Sequence, residues 1–113
     1  MTNQEMLEAL IGAWKAGDAH RAAAFFTEDA VYQEAKHGAI IGREALVAHF
    51  VRFFRDGPLW RFEPEELVMQ GERAALSYRF AVKGQDQSWR EGAGCAMIHV
   101  HGGLVALWRE YEG

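Results

Sequence analysis

The chain has 113 residues, 50% of them hydrophobic and 25% charged, a globular composition that excludes a disordered or low-complexity protein. At this length we expect a single domain, covering residues 1–113, with one core. The formal net charge is -4 and the basic residues are spread along the chain, which argues against a nucleic-acid partner. Cys95 is the only cysteine, so an intrachain disulfide and a Cys-rich zinc module are both excluded.

Hydropathy argues against a membrane partner, because no apolar run reaches the roughly 20 residues of a membrane span. Residues 1–5 also lack the basic start and apolar stretch of a signal peptide. We therefore expect a cytoplasmic protein. Aromatic residues make up 12% of the chain and include four Trp, so we expect a cavity or an interface in addition to an aromatic core.

Three helices are predicted in the first half of the chain. Thr2 and Glu5 have the spacing of a capping box, and apolar residues follow at helical intervals until a glycine ends the run. Asp18 can cap a second, shorter helix whose apolar stripe runs to Phe26. A third helix is predicted over residues 43–56, where apolar side chains again recur at helical spacing.

The remaining segments read as strands. Residues 30–35 form a short one, on which Tyr32 and Glu34 share a face because side chains alternate with period two. After the third helix a meander of strands follows, at residues 60–62, 67–69 (after Pro64), 74–83, 88–101 and 104–111. Gly102 and Gly103 are typical of a tight hairpin turn.

Helices followed by a meander of strands predict a cone-shaped α+β domain, with three helices packed on the concave side of a curved, mainly antiparallel mixed sheet, a cystatin-like roll. Gly92 and Gly94 lie in the middle of a predicted strand, where glycine is a weak strand former. They either permit the bend and leave room above the concave face, or mark an irregular edge.

Four segments carry a family resemblance: residues 14–18 (WKAGD), 25–32 (FFTEDAVY), 42–46 (GREAL) and 108–111 (WREY). Together they resemble the nuclear transport factor 2-like superfamily, which includes SnoaL-like polyketide cyclases, ketosteroid isomerases and limonene epoxide hydrolase. The resemblance covers nearly the whole chain and implies the cone-shaped α+β fold. It is less specific for an activity, because this fold hosts enzymes, ligand binders and assembly modules.

The last strand is similar to that of limonene epoxide hydrolase, which has a tryptophan, an arginine and a catalytic acid where this chain has Trp108, Arg109 and Glu110. The tyrosine and asparagine that position the attacking water in that family are matched by Tyr32 and Glu34. The resemblance thus implies a catalytic role for Glu110, with one departure at Glu34.

The same comparison matches Arg79 to an arginine of the central sheet, whereas the second acid of that family falls on Ala81. In the ketosteroid isomerase comparison Glu34 takes the place of the carboxylate that moves the proton, and the two oxyanion donors fall near Leu10 and Ala96. Both comparisons imply the same set on the concave face: Arg79, Ala81, Ala96, Trp108 and Glu110.

Two carboxylates in one apolar cavity disfavour each other's ionised form, and burial raises both pKa values further. We predict that Arg79 pairs with Glu110 and leaves Glu34 as the poised acid or base, with Tyr32 donating a hydrogen bond to a substrate oxygen or a water. The alternative is a buried Arg79–Glu110 ion pair that only holds two strands in register.

Aromatic side chains are candidates for the cavity wall, although aromatics at helical spacing are also ordinary core. The predicted substrate pocket consists of Trp14, Phe50, Phe54, Trp60, Ala81, Ala96, Ile98 and Trp108.

The convex face of the sheet is predicted to carry an apolar patch that a second copy of the chain would cover. The patch comprises Leu76, Tyr78, Phe80, Val82, Cys95, Met97 and Leu107. This homodimer is also what the resemblance implies. An error of one residue in the alternation would exchange the two faces.

No metal site and no cofactor are predicted. Cys95 and His101 lie about 20 Å apart on an extended strand, too far for one ion, and the chain has no Gly-rich phosphate loop or nucleophile elbow. We expect acid–base chemistry, by proton transfer or water addition, on a small, largely apolar, oxygenated molecule. The alternatives are a carrier or sensor that uses the same pocket without catalysis, and an interaction module whose pocket is filled.

Overall fold

The computed structural model describes residues 1–113 and contains three helices and six strands. The helices are α1 (Asn3–Lys15), α2 (Ala19–Ala24) and α3 (Arg43–Asp56). The strands are β1 (Phe26–Gln33), β2 (Ala39–Ile41), β3 (Trp60–Gln70), β4 (Arg73–Lys83), β5 (Trp89–His101) and β6 (Leu104–Glu112). The predicted α+β class, with helices packed against a mixed sheet, is confirmed.

The helices begin where the sequence predicts them. The Glu5 N–H donates to Thr2 Oγ1 at 3.0 Å and the Thr2 N–H donates to Glu5 Oε1 at 2.8 Å, which completes the capping box of α1. The Arg21 N–H donates to Asp18 Oδ1 at 3.1 Å, so Asp18 caps α2. None of the three helices combines the length and the apolar character needed to cross a bilayer.

The six strands form one sheet in the order β2-β1-β6-β5-β4-β3. Only β1 and β6 pair in parallel, and every other neighbouring pair is antiparallel. Gly102 and Gly103 both have positive φ, +60° and +80°, so they make the two-residue turn between β5 and β6 that their sequence predicts. The parallel pairing places the end of β1 beside the end of β6.

The second helix is shorter than predicted, and β1 begins four residues earlier. Phe26 was predicted on the apolar stripe of that helix, but it is the first residue of β1 and pairs with Val105 of β6. The Val105 N–H donates to the Phe25 carbonyl at 2.8 Å. Pairing with a distant strand therefore overrides the local helical spacing at this point.

The helices cover one face of the sheet, which corresponds to the predicted concave side and is called the helix-covered face below; the other is the outer face. Register assigns side chains to faces, because residues directly opposite each other in neighbouring strands point the same way. Ala96 pairs with Leu76 on one side and Glu110 on the other, and all three belong to the helix-covered face.

This register corrects the predicted alternation of β4. Leu76, Tyr78, Phe80 and Val82 were predicted on the convex side, but they lie on the helix-covered face, with Leu76 and Tyr78 in the core. Arg79 alternates with them and lies on the outer face. The predictions for β5 and β6 had the correct phase, so only one strand was assigned to the wrong faces.

Candidate functional site

A cavity of about 270 Å³ lies between the helices and the helix-covered face. Fifteen of its twenty lining residues are hydrophobic. Its polar and charged side chains include Glu34, His37, Arg61, Glu110 and Glu112. The site is thus an apolar chamber with a small number of titratable groups, as is usual for sites that bind small molecules.

Trp14 of α1 organises the aromatic part of the wall. Its ring centroid lies 4.3 Å from that of Trp60, 5.6 Å from Phe53 and 5.5 Å from Phe62. These partners come from α3 and β3, at the edge of the sheet. One first-helix residue therefore ties a helix and an edge strand into a single aromatic surface.

Five of the eight predicted pocket residues border the cavity: Trp14, Phe50, Trp60, Ala81 and Trp108. Ala96 and Ile98 lie on the predicted face, but they are fully buried core residues that do not reach the cavity. Phe54 packs edge-on against Trp14 instead of lining the cavity. Ala81 borders the cavity from a position that alternates onto the outer face, opposite Arg61 and Glu91.

Glu110 is a partly buried carboxyl on the cavity wall. Removal from water raises its pKa to about 7, and the charges of Glu34 and Glu112 act in the same direction. The Trp108 indole N–H donates to Glu110 Oε2 at 2.9 Å and opposes part of that rise. Near neutral pH this carboxyl therefore populates both its protonated and its ionised form.

Glu34 lies just beyond the end of β1, and its carboxylate has a partner from α3. His49 Nε2 lies 3.0 Å from Glu34 Oε1, and both side chains are partly buried. The His49 ring also packs near Tyr32 and Phe50, each at a centroid distance of 5.8 Å. Glu34 is thus held by a basic group at the side of the cavity.

The predicted pairing of Arg79 with Glu110 is wrong. The Arg79 side chain is 68% exposed on the outer face, where its Nε lies 3.5 Å from Glu65 Oε2. None of the ion pairs of the protein includes Glu110. Neither the functional nor the purely structural Arg79–Glu110 pair exists, because the sheet lies between the two side chains.

The structure exchanges the predicted surroundings of the two acids. Glu34 was predicted to be the poised group and Glu110 the one paired with a basic side chain, but Glu34 has the basic partner, whereas Glu110 is partly buried without one. Both carboxyls and Tyr32 border the cavity, as predicted. Burial raises the pKa of Tyr32 well above its ordinary value, so its phenol stays neutral and can donate a hydrogen bond.

Three residues of the site were either not predicted from the sequence or predicted on the wrong face of the sheet. His49 occupies the apolar stripe of α3, three residues after Leu46 and four before Phe53, and this position is the signal that could have revealed it. Glu112 follows Glu110 by two residues on the same strand and therefore shares its face. Tyr78 was predicted on the convex side, but it lines the cavity.

Tyr78 is a buried polar group at the inner wall. Its side chain is 2% exposed, and its hydroxyl is buried without a hydrogen-bond partner. The ring lies over Gly94, where an added Cβ would come within 2.6 Å of the hydroxyl oxygen. The room that Gly94 was predicted to leave above the sheet is therefore occupied by Tyr78. No group of three or more His, Cys, Asp and Glu side chains is arranged to hold a metal ion.

Solved structures share this fold over most of their length. An LEH-like epoxide hydrolase from Mycobacterium tuberculosis is similar with a TM-score of 0.83 at 18% identity, covering 96% of this chain and 80% of that one. A putative polyketide cyclase from Pseudomonas putida is similar with a TM-score of 0.80 at 21% identity, covering 100% of this chain and 92% of that one. An NTF2-like protein of unknown function from Burkholderia pseudomallei is similar with a TM-score of 0.88 at 15% identity, covering 100% of this chain and 92% of that one.

Identities of this size show the fold and leave the activity open. No protein with a curated function matches the chain in sequence. The family described as SnoaL-like domain, in contrast, matches residues 7–108. This match includes α2, α3 and most of the sheet, together with every cavity-lining position up to Trp108. The chain therefore belongs to the SnoaL-like domain family and has the NTF2-like fold.

Proposed function

We propose that the protein is an acid–base enzyme in which Glu110 exchanges a proton with a small, largely apolar, oxygenated molecule bound in the cavity. The observation that carries this proposal is a partly buried carboxyl, with a pKa of about 7, on the wall of a mostly apolar chamber. A group with such a pKa is suited to both halves of a proton transfer at neutral pH. A fully solvated glutamate would be almost entirely ionised under those conditions.

Each polar group of the chamber has a distinct task in this scheme. Ionised Glu110 accepts a proton from a carbon acid or from a water that attacks the substrate, and protonated Glu110 returns it in the next step. The neutral Tyr32 phenol donates a hydrogen bond to the substrate oxygen on which charge develops. Glu34, held by His49, adds negative potential that keeps the pKa of Glu110 high.

The Glu110→Gln variant tests this proposal against the wild type and a surface control, Glu8→Gln. The substrates are 2-tetralone, whose α-proton exchange in deuterium oxide is followed by NMR, and styrene oxide, whose hydrolysis is followed by chromatography. We expect turnover of at least one of them, with a pH profile that bends near 7, a loss of about 10²-fold or more in Glu110→Gln and no loss in Glu8→Gln. Equal rates in wild type and Glu110→Gln would refute the role of Glu110.

The second candidate is a carrier or sensor of the same ligand class without catalysis. One observation favours it: the arginine predicted to orient polar groups lies outside the chamber, which leaves an aromatic enclosure with few polar groups. Binding of 2-tetralone in the cavity, seen in a co-crystal structure and without turnover of either compound, would favour this candidate.

A second copy of the chain is the proposed partner of the outer face. Val68, Met97 and Tyr111 are exposed there, and Cys95 and Leu107 lie on the same face half-buried. Register places Val68, Ala75 and Met97 in one row across three strands. Arg109 continues that row, while Glu66 lies in the next, so the face carries both charge signs and can match a copy of itself across a two-fold axis.

A further inference from the structure

The Tyr78 hydroxyl is a polar group that the fold buries without satisfying. The Tyr78 ring lies near the Phe62 ring, at a centroid distance of 4.9 Å, and near the Phe80 ring, at 6.2 Å, and its hydroxyl is buried without a hydrogen-bond partner. Burying a hydroxyl without a partner is unfavourable, because its hydrogen bonds to water are lost and not replaced. A phenylalanine would fill the same space without that cost, so the hydroxyl requires an explanation.

The position of the hydroxyl is fixed by the sheet. Tyr78 is paired with Gly94, and the phenol ring lies flat against that glycine, since a Cβ there would meet three ring and hydroxyl atoms within 2.6 to 2.9 Å. With its ring confined between Gly94 and Phe62, the side chain cannot swing its hydroxyl out to solvent. Tyr78 lines the cavity, so this is the side from which a ligand can approach the group.

We propose that Tyr78 is a ligand-binding residue whose hydroxyl donates a hydrogen bond to an acceptor atom, a carbonyl or ether oxygen, on a flat apolar ligand in the cavity. The acceptor replaces the partner that the protein does not provide, and the aromatic wall formed by Trp14, Trp60 and Phe62 holds the apolar body. Burial raises the pKa of Tyr78, so the phenol keeps the proton it donates.

The register also gives the ligand an orientation. Gly94, over which the hydroxyl lies, is paired with Glu112, and the neighbouring row on the same face contains Ala96 and Glu110. An acceptor bound to Tyr78 therefore sits at the acidic end of the cavity. This inference rests on the part of the proposed function that gives the cavity a ligand, and it adds the chemical group by which that ligand is selected.

Calorimetric titration with two probes of equal shape tests the proposal. The probes are 2-acetylnaphthalene, which has a carbonyl oxygen, and 2-isopropenylnaphthalene, in which a CH₂ group replaces that oxygen. Each is titrated into wild type, Tyr78→Phe and the control Tyr111→Phe, which removes an exposed hydroxyl from the outer face. We expect Tyr78→Phe to weaken ketone binding about tenfold, or ~1.4 kcal/mol, and to leave alkene binding unchanged or tighter, with no change in Tyr111→Phe.

The outcomes separate this inference from the proposed function. If Tyr78→Phe affects the binding of both probes equally, or affects neither, the proposed role of Tyr78 is wrong, although the cavity still binds a ligand. A water molecule that satisfies the hydroxyl would give the second of these results. Failure of both probes to bind wild type would overturn the inference and count against the ligand cavity itself. Loss of turnover in Glu110→Gln is measured independently of either result.

Thermal unfolding without ligand gives a second readout. If the hydroxyl lacks a partner in the free protein, Tyr78→Phe removes an unsatisfied group and raises the Tm by a few degrees, roughly 4 °C per kcal/mol for a domain of this size. A Tm lower than that of wild type would show that the hydroxyl already has a partner within the protein, and the proposal would then be wrong.

Discussion

Two glutamates of the same cavity differ because of what surrounds each carboxyl. Glu34 has His49 at 3.0 Å and lies just past a strand end, whereas Glu110 lies within β6 with an indole N–H as its hydrogen-bond partner. A neutral donor offsets only part of the free energy needed to bury a charge, so the pKa of Glu110 stays high. In the proposed reaction Glu110 is therefore the acid that exchanges the proton.

The raised pKa of Glu110 predicts a pH-dependent stability. The unfolded chain loses this proton near pH 4.5 and the folded chain near pH 7, so between these values the folded state binds more protons. The free energy of unfolding is therefore highest, for this group, below pH 4.5 and falls as pH rises to about 7. The two pKa values correspond to a loss of roughly 3 kcal/mol.

Urea denaturation at pH 5 and pH 8, followed by circular dichroism, measures this contribution. We expect Glu110→Gln to gain stability relative to wild type as pH rises, by up to ~3 kcal/mol, because the amide cannot ionise. Glu8→Gln on the exposed side of α1 should follow wild type at both pH values. A stability difference between Glu110→Gln and wild type that is the same at both pH values would contradict the assigned pKa.

At the scale of elements, two aromatic residues of β4 are paired with two glycines of the neighbouring strand β5. Phe80 lies over Gly92 as Tyr78 lies over Gly94, and a Cβ at Gly92 would come within 2.5 Å of the Phe80 ring. Two large rings thus use the space that two missing side chains leave on the same face. Both rings border the cavity, so aromatic side chains form this part of its inner wall.

Gly94→Ala should therefore destabilise the protein, by about 1–3 kcal/mol, because the buried Tyr78 ring has to move or the strand has to shift. The matched control is Gly12→Ala in the C-terminal part of α1, where an added Cβ meets nothing within 4 Å. That change should stabilise by roughly 0.5–1 kcal/mol, the usual helix preference for alanine. Thermal unfolding of both variants checks the pair, and a neutral Gly94→Ala would show that the ring is not confined.

Local signals predicted the helices and turns, whereas the faces of β4 depended on long-range pairing. Caps such as Thr2 and Asp18 act within four residues, so the sequence contains the whole interaction. Alternation divides the side chains of β4 between two faces but does not show by itself which face lies inside. The family comparison favoured the alternation that places Arg79 on the concave face. The polar residues Arg73, Ser77 and Arg79 share one phase and were the better guide to the outer face.

The site residues were predictable only in part, for the same reason. Alternation placed Glu110 and Trp108 correctly, because β6 pairs regularly along its length near the cavity. The contact between Glu34 and His49 joins a strand end to a helix fifteen residues later, and no spacing in the sequence indicates it. The burial that raises the pKa of Glu110 also depends on packing between distant segments.

At the scale of the whole molecule, the sheet has one face filled by the core and one exposed face that is partly apolar. The exposed side chains of Val68, Met97 and Tyr111 come from three strands and lie on a face that no helix covers. Stable dimers bury about 800 Å² on each partner, an area that a sheet face of this kind can supply. The cavity and the proposed dimer surface are therefore on opposite sides of the sheet.

Met97→Glu should weaken the proposed dimer, since it places a charge in the centre of the apolar row. Sedimentation velocity at micromolar concentration measures the shift from dimer to monomer. Leu59→Glu changes an exposed apolar residue ahead of β3 and should leave the association state unchanged. A monomeric wild type, or a Met97→Glu variant that sediments as wild type does, would refute the proposed interface.

The placement of the tryptophans has a practical consequence. Trp14, Trp60 and Trp108 all border the cavity, whereas Trp89 packs beneath the Arg61 guanidinium, 4.1 Å from its ring centre. Three of the four indoles in the chain thus share one chamber, and any molecule that enters it must change their emission. Unlabelled protein can therefore report its own occupancy by fluorescence, with Trp89→Phe removing the background signal, so that a compound library can be screened before any substrate is known.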